Sequence, residues 1–334
     1  MPQMPQMAEM TKKQRVRAAL AGEPVDRVPV SMWGHDYQRE ATPEDVVAAT
    51  LEQYRAGDWD FIKFNPRASY FAEAWGGEFA PSTADRGGAP THNAVDSVDG
   101  LAALQPVDAR GGVFGEHLTA LRMLLDAVGD EVDVIHTVFS PLSVVARLLG
   151  SDPRLLELAA EDAASTHSAI AAATETLTEY SVAALEAGAA GIFFAPLSWA
   201  SRDTCSEHFY REFGRPYDLQ VLARIREAEF NVLHVCRDHN MIELLLDYPV
   251  AAVNWADRGE GNLSLAEVKS RTQMAVMGGV DQTRLATMTA EETAAQAADA
   301  LAAGPERLLL TAGCSIPPAT TDANRVSVVS AARG

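Results

Sequence analysis

Eight short, β-rich apolar runs, each bounded by Gly, Pro, Asp or Asn and separated by longer helical patterns, constrain this chain more than any other feature. They are Arg27 to Met32, Asp60 to Asn65, Val132 to Phe139, Ala190 to Ala195, Asn231 to Cys236, Val250 to Asn254, Gln273 to Gly278 and Arg307 to Ala312. Between them, helices are expected over Pro43 to Ala56, Gly115 to Ala127, Pro153 to Gly188, Glu207 to Glu229, Asn240 to Asp247 and Ala290 to Ala303. Asp152-Pro153 and Thr289 mark two of the helix starts, with Glu292 placed to complete a capping box on Thr289. Strands alternating with helices predict a parallel sheet with helical crossovers, and eight such units predict a closed (β/α)8 TIM barrel. The 334 residues are then one domain, 1–334, with an N-terminal helix and a Gly- and Pro-rich loop excursion at about 81–112.

Charge excludes one large class of function. With 46 acidic against 27 basic residues the formal charge is -19, so a phosphate backbone would be repelled over most of the surface and nucleic-acid binding is not expected. No stretch is apolar enough to span a bilayer, so no membrane partner is expected either. The opening residues lack the apolar core of a secretory signal, and the three cysteines, Cys205, Cys236 and Cys314, are read as reduced thiols of a cytoplasmic protein. A homo-oligomer is compatible with the sequence, which does not set the number of copies.

In a barrel of this kind reactive groups stand at the C-terminal ends of the strands. The fifth run ends in Leu233-His234-Val235-Cys236, and residues i and i+2 of a strand share a face, so His234 and Cys236 aim at one point in the mouth. The eighth run ends in Thr311-Ala312-Gly313-Cys314 and brings a second thiol to the same rim. One imidazole and two thiolates suit Zn²⁺ and leave a fourth position open, as a catalytic zinc requires. Two small buried hydrophobes beside a hydrogen-bonded core histidine is the alternative. With eight His and three Cys in the chain, chance gives about 0.1 His-x-Cys pairs, which weighs towards the metal. A substrate thiol in the open position becomes a thiolate nucleophile, which points to thiol alkylation. Water in that position would make a hydrolase instead.

Further polar residues fall near the rim. Asn254 and Asp281 are candidate catalytic pocket groups, since rim positions on neighbouring strands converge on one cavity. His35, Asn65, Arg67 and Asp257 are candidate substrate-binding groups, the Arg67 guanidinium as a clamp for a carboxylate or phosphate. Helix capping for the Asp and Asn residues and an ion pair for Arg67 are the competing roles. His136, inside the third run, reads as filler or pocket wall, and Cys205 as a spectator.

Several segments together resemble the uroporphyrinogen decarboxylase superfamily over nearly the whole chain. An opening helix, Thr11 to Leu20 (TKKQRVRAAL), precedes Pro24 to Val30 (PVDRVPV). Val253-Asn254-Trp255 stands where the decarboxylases have Asp-Trp, Gly278 to Asp281 (GGVD) resembles their Gly-Asn-Leu-Asp, and Gly313 to Thr320 (GCSIPPAT) resembles Gly-His-Gly-Ile-x-Pro-x-Thr. The resemblance implies the barrel that the eight runs predict independently. The departures point away from porphyrinogen decarboxylation. The decarboxylases' Arg-Gln-Ala-Gly-Arg stretch is replaced by Ser31 to Arg39 (SMWGHDYQR), their Phe-Ser-Asp by Phe64-Asn65-Pro66-Arg67, and their late His by Cys314.

His-x-Cys with a distant downstream Cys is similar to the family's other branch, the zinc methyltransferases that move a methyl group between a corrinoid (cobalamin) protein and a thiol such as coenzyme M. That resemblance implies His234, Cys236 and Cys314 as zinc ligands, a small thiol substrate and a corrinoid protein as partner. The cobalamin-independent methionine synthases, on a similar barrel, add a Glu ligand after the sixth strand; Asn254, near that place here, is a poor substitute. The leading expectation is therefore a zinc-dependent corrinoid methyltransferase. A decarboxylase of a porphyrinogen or other carboxylated substrate, using Arg67 and Asp281 for binding, and a non-catalytic corrinoid- or tetrapyrrole-binding module are the alternatives.

Overall fold

The computed structural model describes residues 8–333. Residues 1–7, which carry much of the segment read for a secretory signal, and residue 334 lie outside the described residues. In chain order the strands are β1 (Phe61–Phe64), β2 (Glu78–Phe79), β3 (Pro90–His92), β4 (Asp133–Phe139), β5 (Gly191–Ala195), β6 (Val232–Val235), β7 (Ala252–Trp255), β8 (Ala275–Val280) and β9 (Leu308–Ala312). Seven of them hydrogen-bond as one sheet in the order β1-β4-β5-β6-β7-β8-β9, every neighbouring pair parallel. Their side chains are buried throughout, because helices cover the outer face and the strands' own residues fill the inside.

The ring is closed by the first of the eight runs, which is a single bridge rather than a six-residue strand. Val30 bridges Leu310 in parallel: Leu310 N–H donates to Pro29 O at 2.9 Å and Ser31 N–H to Leu310 O at 3.2 Å. On its other side Asp60 N–H donates to Val30 O at 2.8 Å. The ladder stops there for a chemical reason. Pro29 has no N–H to give, and the N–H of Val30 is taken by the Asp60 carboxylate at 2.8 Å. The fold is an α/β barrel with one strand reduced to its closing contact.

The helices follow the predicted pattern with three corrections. Pro43–Gly57, Gly112–Val128 and Ala290–Ala302 form as expected, and the Thr289–Glu292 capping box is present. The long helix expected over Pro153 to Gly188 is two, Asp152–Glu161 and Ala163–Glu186, because Asp162 turns extended and caps the second by accepting Ser165 N–H at 3.1 Å. The one expected over Glu207 to Glu229 is a short turn, Glu207–Phe209, a widened π turn, Tyr210–Gly214, and a helix, Arg215–Ile225; Pro216 cannot donate to the preceding turn. The one expected over Asn240 to Asp247 shrinks to a 3₁₀ turn, Ile242–Leu245. The excursion at 81–112 is not bare loop: β3 pairs antiparallel with β2, Val98–Ala102 is helical, and Val107 N–H donates to Thr176 Oγ1 at 3.0 Å on an outer helix.

Candidate functional site

β6 and β7 run side by side with His234 in register with Asn254, and this pairing fixes the imidazole. Asn254 Nδ2 donates to Met277 O at 3.0 Å, Ala312 O at 3.1 Å and Thr311 Oγ1 at 3.2 Å. An amide nitrogen cannot accept, and two of those partners are carbonyls, so Asn254 Oδ1 must be the atom facing His234. It lies 2.6 Å from Nδ1, which therefore carries a proton and leaves Nε2 pointing at the strand ends. Phe193 from β5 stacks against the ring at 4.9 Å and completes the clamp.

The sulphur that Nε2 meets comes from the loop after β9. Gly313 packs so tightly against β7 and β8 that a Cβ there would lie 2.8 Å from Trp255 O, and this close approach delivers Cys314 to the mouth. Cys314 Sγ lies 3.4 Å from His234 Nε2. Its loop is then tied across the mouth by Ile316 N–H donating to Trp33 O at 2.8 Å. The two buried thiols are shifted in opposite directions: interaction with Cys314 and burial push Cys236 well up, while interaction with Cys236, opposed by burial and aided by His234, holds Cys314 well below the usual thiol range. Among the described residues no group of three or more His, Cys, Asp or Glu side chains is placed to hold a metal ion as it stands, and the contact within the trio is that of Cys314 with His234. By residue type, one imidazole oriented by Asn254 and two thiols match a borderline-soft dication such as Zn²⁺.

Across Phe193 from His234 lies a group the sequence reading passed over. Lys63 on β1 is buried, with Nζ 4.6 Å from the centre of the Phe193 ring and 5.8 Å from that of Trp33. Its hydrogen-bond partner is Asn65 Oδ1, and burial pushes it down to about 7, against the charges of Cys314 and Glu40. The signal was present: a lysine inside the apolar run Phe61–Phe64 is out of pattern for a buried strand.

The uroporphyrinogen decarboxylase (URO-D) family pattern matches residues 11–334. The chain belongs to the URO-D family. It is 25% identical to the methylcobamide:CoM methyltransferase MtaA of Methanosarcina barkeri, over 71% of this chain and 72% of that protein. It is 24% identical to the methylcobamide:CoM methyltransferase MtbA of Methanosarcina mazei, over 98% and 99%. Among solved structures a methyltransferase from Methanosarcina mazei shares the fold with a TM-score of 0.84 at 24% identity, covering 97% of this chain and 98% of that one. A B12-independent methionine synthase from Shewanella sp. W3-18-1 shares it with a TM-score of 0.64 at 14% identity, covering 92% and 97%.

Within this URO-D barrel the other expected residues divide. Asn65 reaches the mouth, accepting from Lys63 and donating to Gly34 O at 3.2 Å. His35 lines it too, with Nδ1 2.5 Å from Glu40 Oε1 and its ring stacked on Tyr37 at 4.8 Å. The other four turn to the protein itself. Asn254 is a positioning residue, since its amide is used up on His234 and three strand atoms. Asp281 turns to its own chain, Oδ1 accepting Thr283 N–H at 2.8 Å and Thr283 Oγ1 at 2.6 Å as a turn cap. Asp257 accepts Gly279 N–H at 3.0 Å between β7 and β8, and burial pushes it up to about 6 against the pull of that bond and Arg258. Arg67 is ion-paired to Glu73 and Glu116, which occupy its fork. His136 packs between sheet and helices, Nε2 2.7 Å from Tyr180 OH, and Cys205 is buried against Trp199 O, its thiol pushed by burial up to about 12.

Proposed function

We propose that this chain is a methyltransferase that uses Zn²⁺ held by His234 Nε2, Cys236 Sγ and Cys314 Sγ, and that it moves a methyl group between a corrinoid protein and a small thiol. The observation that carries the reading is the 3.4 Å contact of Cys314 Sγ with a His234 ring whose other nitrogen is fixed by Asn254. When bound, the metal would supply the positive charge that keeps a substrate thiol deprotonated at neutral pH. The chain's own residues do the rest. Asn254 holds His234 in the tautomer that offers Nε2, the neighbouring Cys236 and His234 favour the thiolate form of Cys314, and the Phe193 and Trp33 rings wall the site so that water does not compete for the nucleophile.

The corrinoid and thiol classes come from the relatives, whose names specify methylcobamide and CoM. The whole chain acts as one barrel in this reading. Its three cysteines are free, as a reducing cytoplasm would keep them, and none of its described helices is long and apolar enough to cross a membrane. Decarboxylation gains no support, since Arg67 and Asp281, the groups it would use, are turned to the protein itself.

The test is metal content together with thiol chemistry. Protein purified without added metal should carry about one zinc per chain, lost in Cys236→Ser and Cys314→Ser, and should release a proton when the thiol is added. Folded protein that binds no zinc on titration would remove the reading.

A further inference from the structure

Cys236 is followed by a turn that its own residue types do not favour. Arg237 has a φ of 75° and His239 of 46°, the left-handed region that side chains other than glycine rarely adopt. Such backbone persists where the surroundings over-determine it. Here the neighbouring loops do so, by taking the turn's carbonyls in succession. Arg237 O accepts Asn262 Nδ2 at 2.9 Å, Asp238 O accepts Ser201 Oγ at 2.8 Å, and His239 O accepts Arg202 N–H at 3.0 Å. Ser201 and Arg202 come from the loop after β5, and Asn262 from the loop after β7.

Asn262 does more than the other two. Its Nδ2 also donates to Ala256 O at 2.7 Å, and its Oδ1 accepts Asn240 N–H at 2.8 Å. The amide is fully spent, and two carbonyls on one side and an N–H on the other fix which end is nitrogen. Gly259 makes room for it, since a Cβ there would lie 2.5 Å from Nδ2. The two carbonyls lead to the two thiols. Arg237 follows Cys236, and Ala256 is a surface on which the Cys314 loop rests, a Cβ on Gly313 lying 2.9 Å from Ala256 Cα. We propose that Asn262 is a positioning residue that sets the spacing of the Cys236 and Cys314 sulphurs by holding Arg237 in its strained conformation. Without the amide, Arg237 relaxes to ordinary backbone and carries Cys236 away from Cys314. The effect on metal affinity rests on the zinc reading above, whereas the spacing belongs to the chain alone.

The test loads the full chain with zinc and, separately, with cobalt(II). Asn262→Ala should lower zinc affinity about tenfold in chelator competition, the size expected when a group behind a ligand is removed. It should also weaken the sulphur-to-cobalt charge-transfer band. Arg237→Gly in the Asn262→Ala chain should recover most of the loss, because glycine takes the left-handed backbone without a latch; Arg237→Ala in that chain should recover none. An unchanged zinc affinity in Asn262→Ala overturns the proposal, as does a loss that Arg237→Gly leaves in place or that Arg237→Ala also repairs. If Asn262→Ala does not fold, Asn262→Asp, which keeps the acceptor for Asn240 and loses both donors, is read in its place. Failure of the zinc reading would look different: the unaltered protein would take up neither metal. Phenylarsine oxide then reads the spacing directly, since its arsenic binds two neighbouring thiols and releases water. Its affinity for the metal-free chain should fall in Asn262→Ala and return with Arg237→Gly. Equal affinity in all three chains overturns the proposal whatever the metal result.

Discussion

Just before β1 and within it, two charged residues three positions apart are treated in opposite ways. Asp60, at the floor of the barrel, is buried and fully answered: Arg15 Nη1 lies at 2.7 Å, Arg27 Nη1 at 2.6 Å, and Val30 N–H at 2.8 Å. Lys63, at the mouth, is also buried, with Asn65 as its one side-chain partner among the described residues. Arg67 repeats the floor's pattern, ion-paired to Glu73 and Glu116. Floor charges close the ring and hold the N-terminal helix, so they serve stability. At the mouth the treatment is mixed: His35 is paired with Glu40, while Lys63 has an amide and no carboxylate as its partner.

The sharpest way to break this contrast is at the floor. Asp60→Asn removes the charge that answers two arginines while keeping the shape. Breaking a buried pair leaves the partners uncompensated, so a loss of about 3–5 kcal/mol is expected in denaturant unfolding, with no change in zinc content of the folded fraction. A loss under about 1 kcal/mol would mean the floor is solvated and the comparison is empty.

Next comes the orienting residue. Asn254→Leu leaves His234 Nδ1 without its acceptor and the ring free to turn, and removal of such a partner weakens metal binding by about 10–100-fold. Competition with a chelator of known zinc affinity reads the shift directly. An unchanged affinity would return Asn254 to the role of a core amide and His234 to that of a stacked core ring.

Lys63→Met should have the opposite sign to the floor variant. Burial lowers the lysine to about 7 in the folded chain against 10.5 as its ordinary value, so below about 7 both states carry the proton and the folded state bears the desolvation cost. As pH rises from there towards 10.5 the folded state sheds the proton first, and the cost fades. Replacing the lysine should therefore raise stability by about 1–2 kcal/mol at pH 6, and by less at pH 9. Thermal unfolding at the two pH values would show it, and a destabilised variant at pH 6 would contradict the unanswered-charge picture.

How far the sequence reaches follows the same division. Seven strands and their order were legible because β-branched runs closed by turn residues are a local signal, and the approach of Cys314 to His234 from two strand ends was legible because strand ends are local too. The reduced first strand was not, since the carboxylate that takes the Val30 N–H sits 30 residues away. Nor could the pairing of Arg67 be read in full: Glu73 is six residues on, but Glu116, which takes its other arm, is 49 residues away. Pairing of charges is a tertiary property. Asn254 was found at the right place with the wrong role, because one amide looks the same in sequence whether it touches substrate or a ligand's far nitrogen.

The smallest effect expected lies at the edge of the floor. Burial would raise Asp26, but Arg15 and the N–H groups of Met10 and Arg27 hold it down to about 2, below its ordinary 3.8. A carboxylate with a depressed folded value contributes stability that is complete above about 4 and is lost as pH falls towards 2, where the folded state is protonated as well. Part of Asp26 meets solvent, so the contribution is on the order of 1 kcal/mol after screening. Asp26→Asn should remove about that much at pH 7 and flatten the acid limb of the stability curve between pH 4 and 2. The Asp60 variant should instead cost several times as much at pH 7. If the two variants lower the curve by the same amount and with the same shape, Asp26 is as much a part of the ring closure as Asp60, and the floor is one four-charge unit rather than a buried clamp with an outer brace.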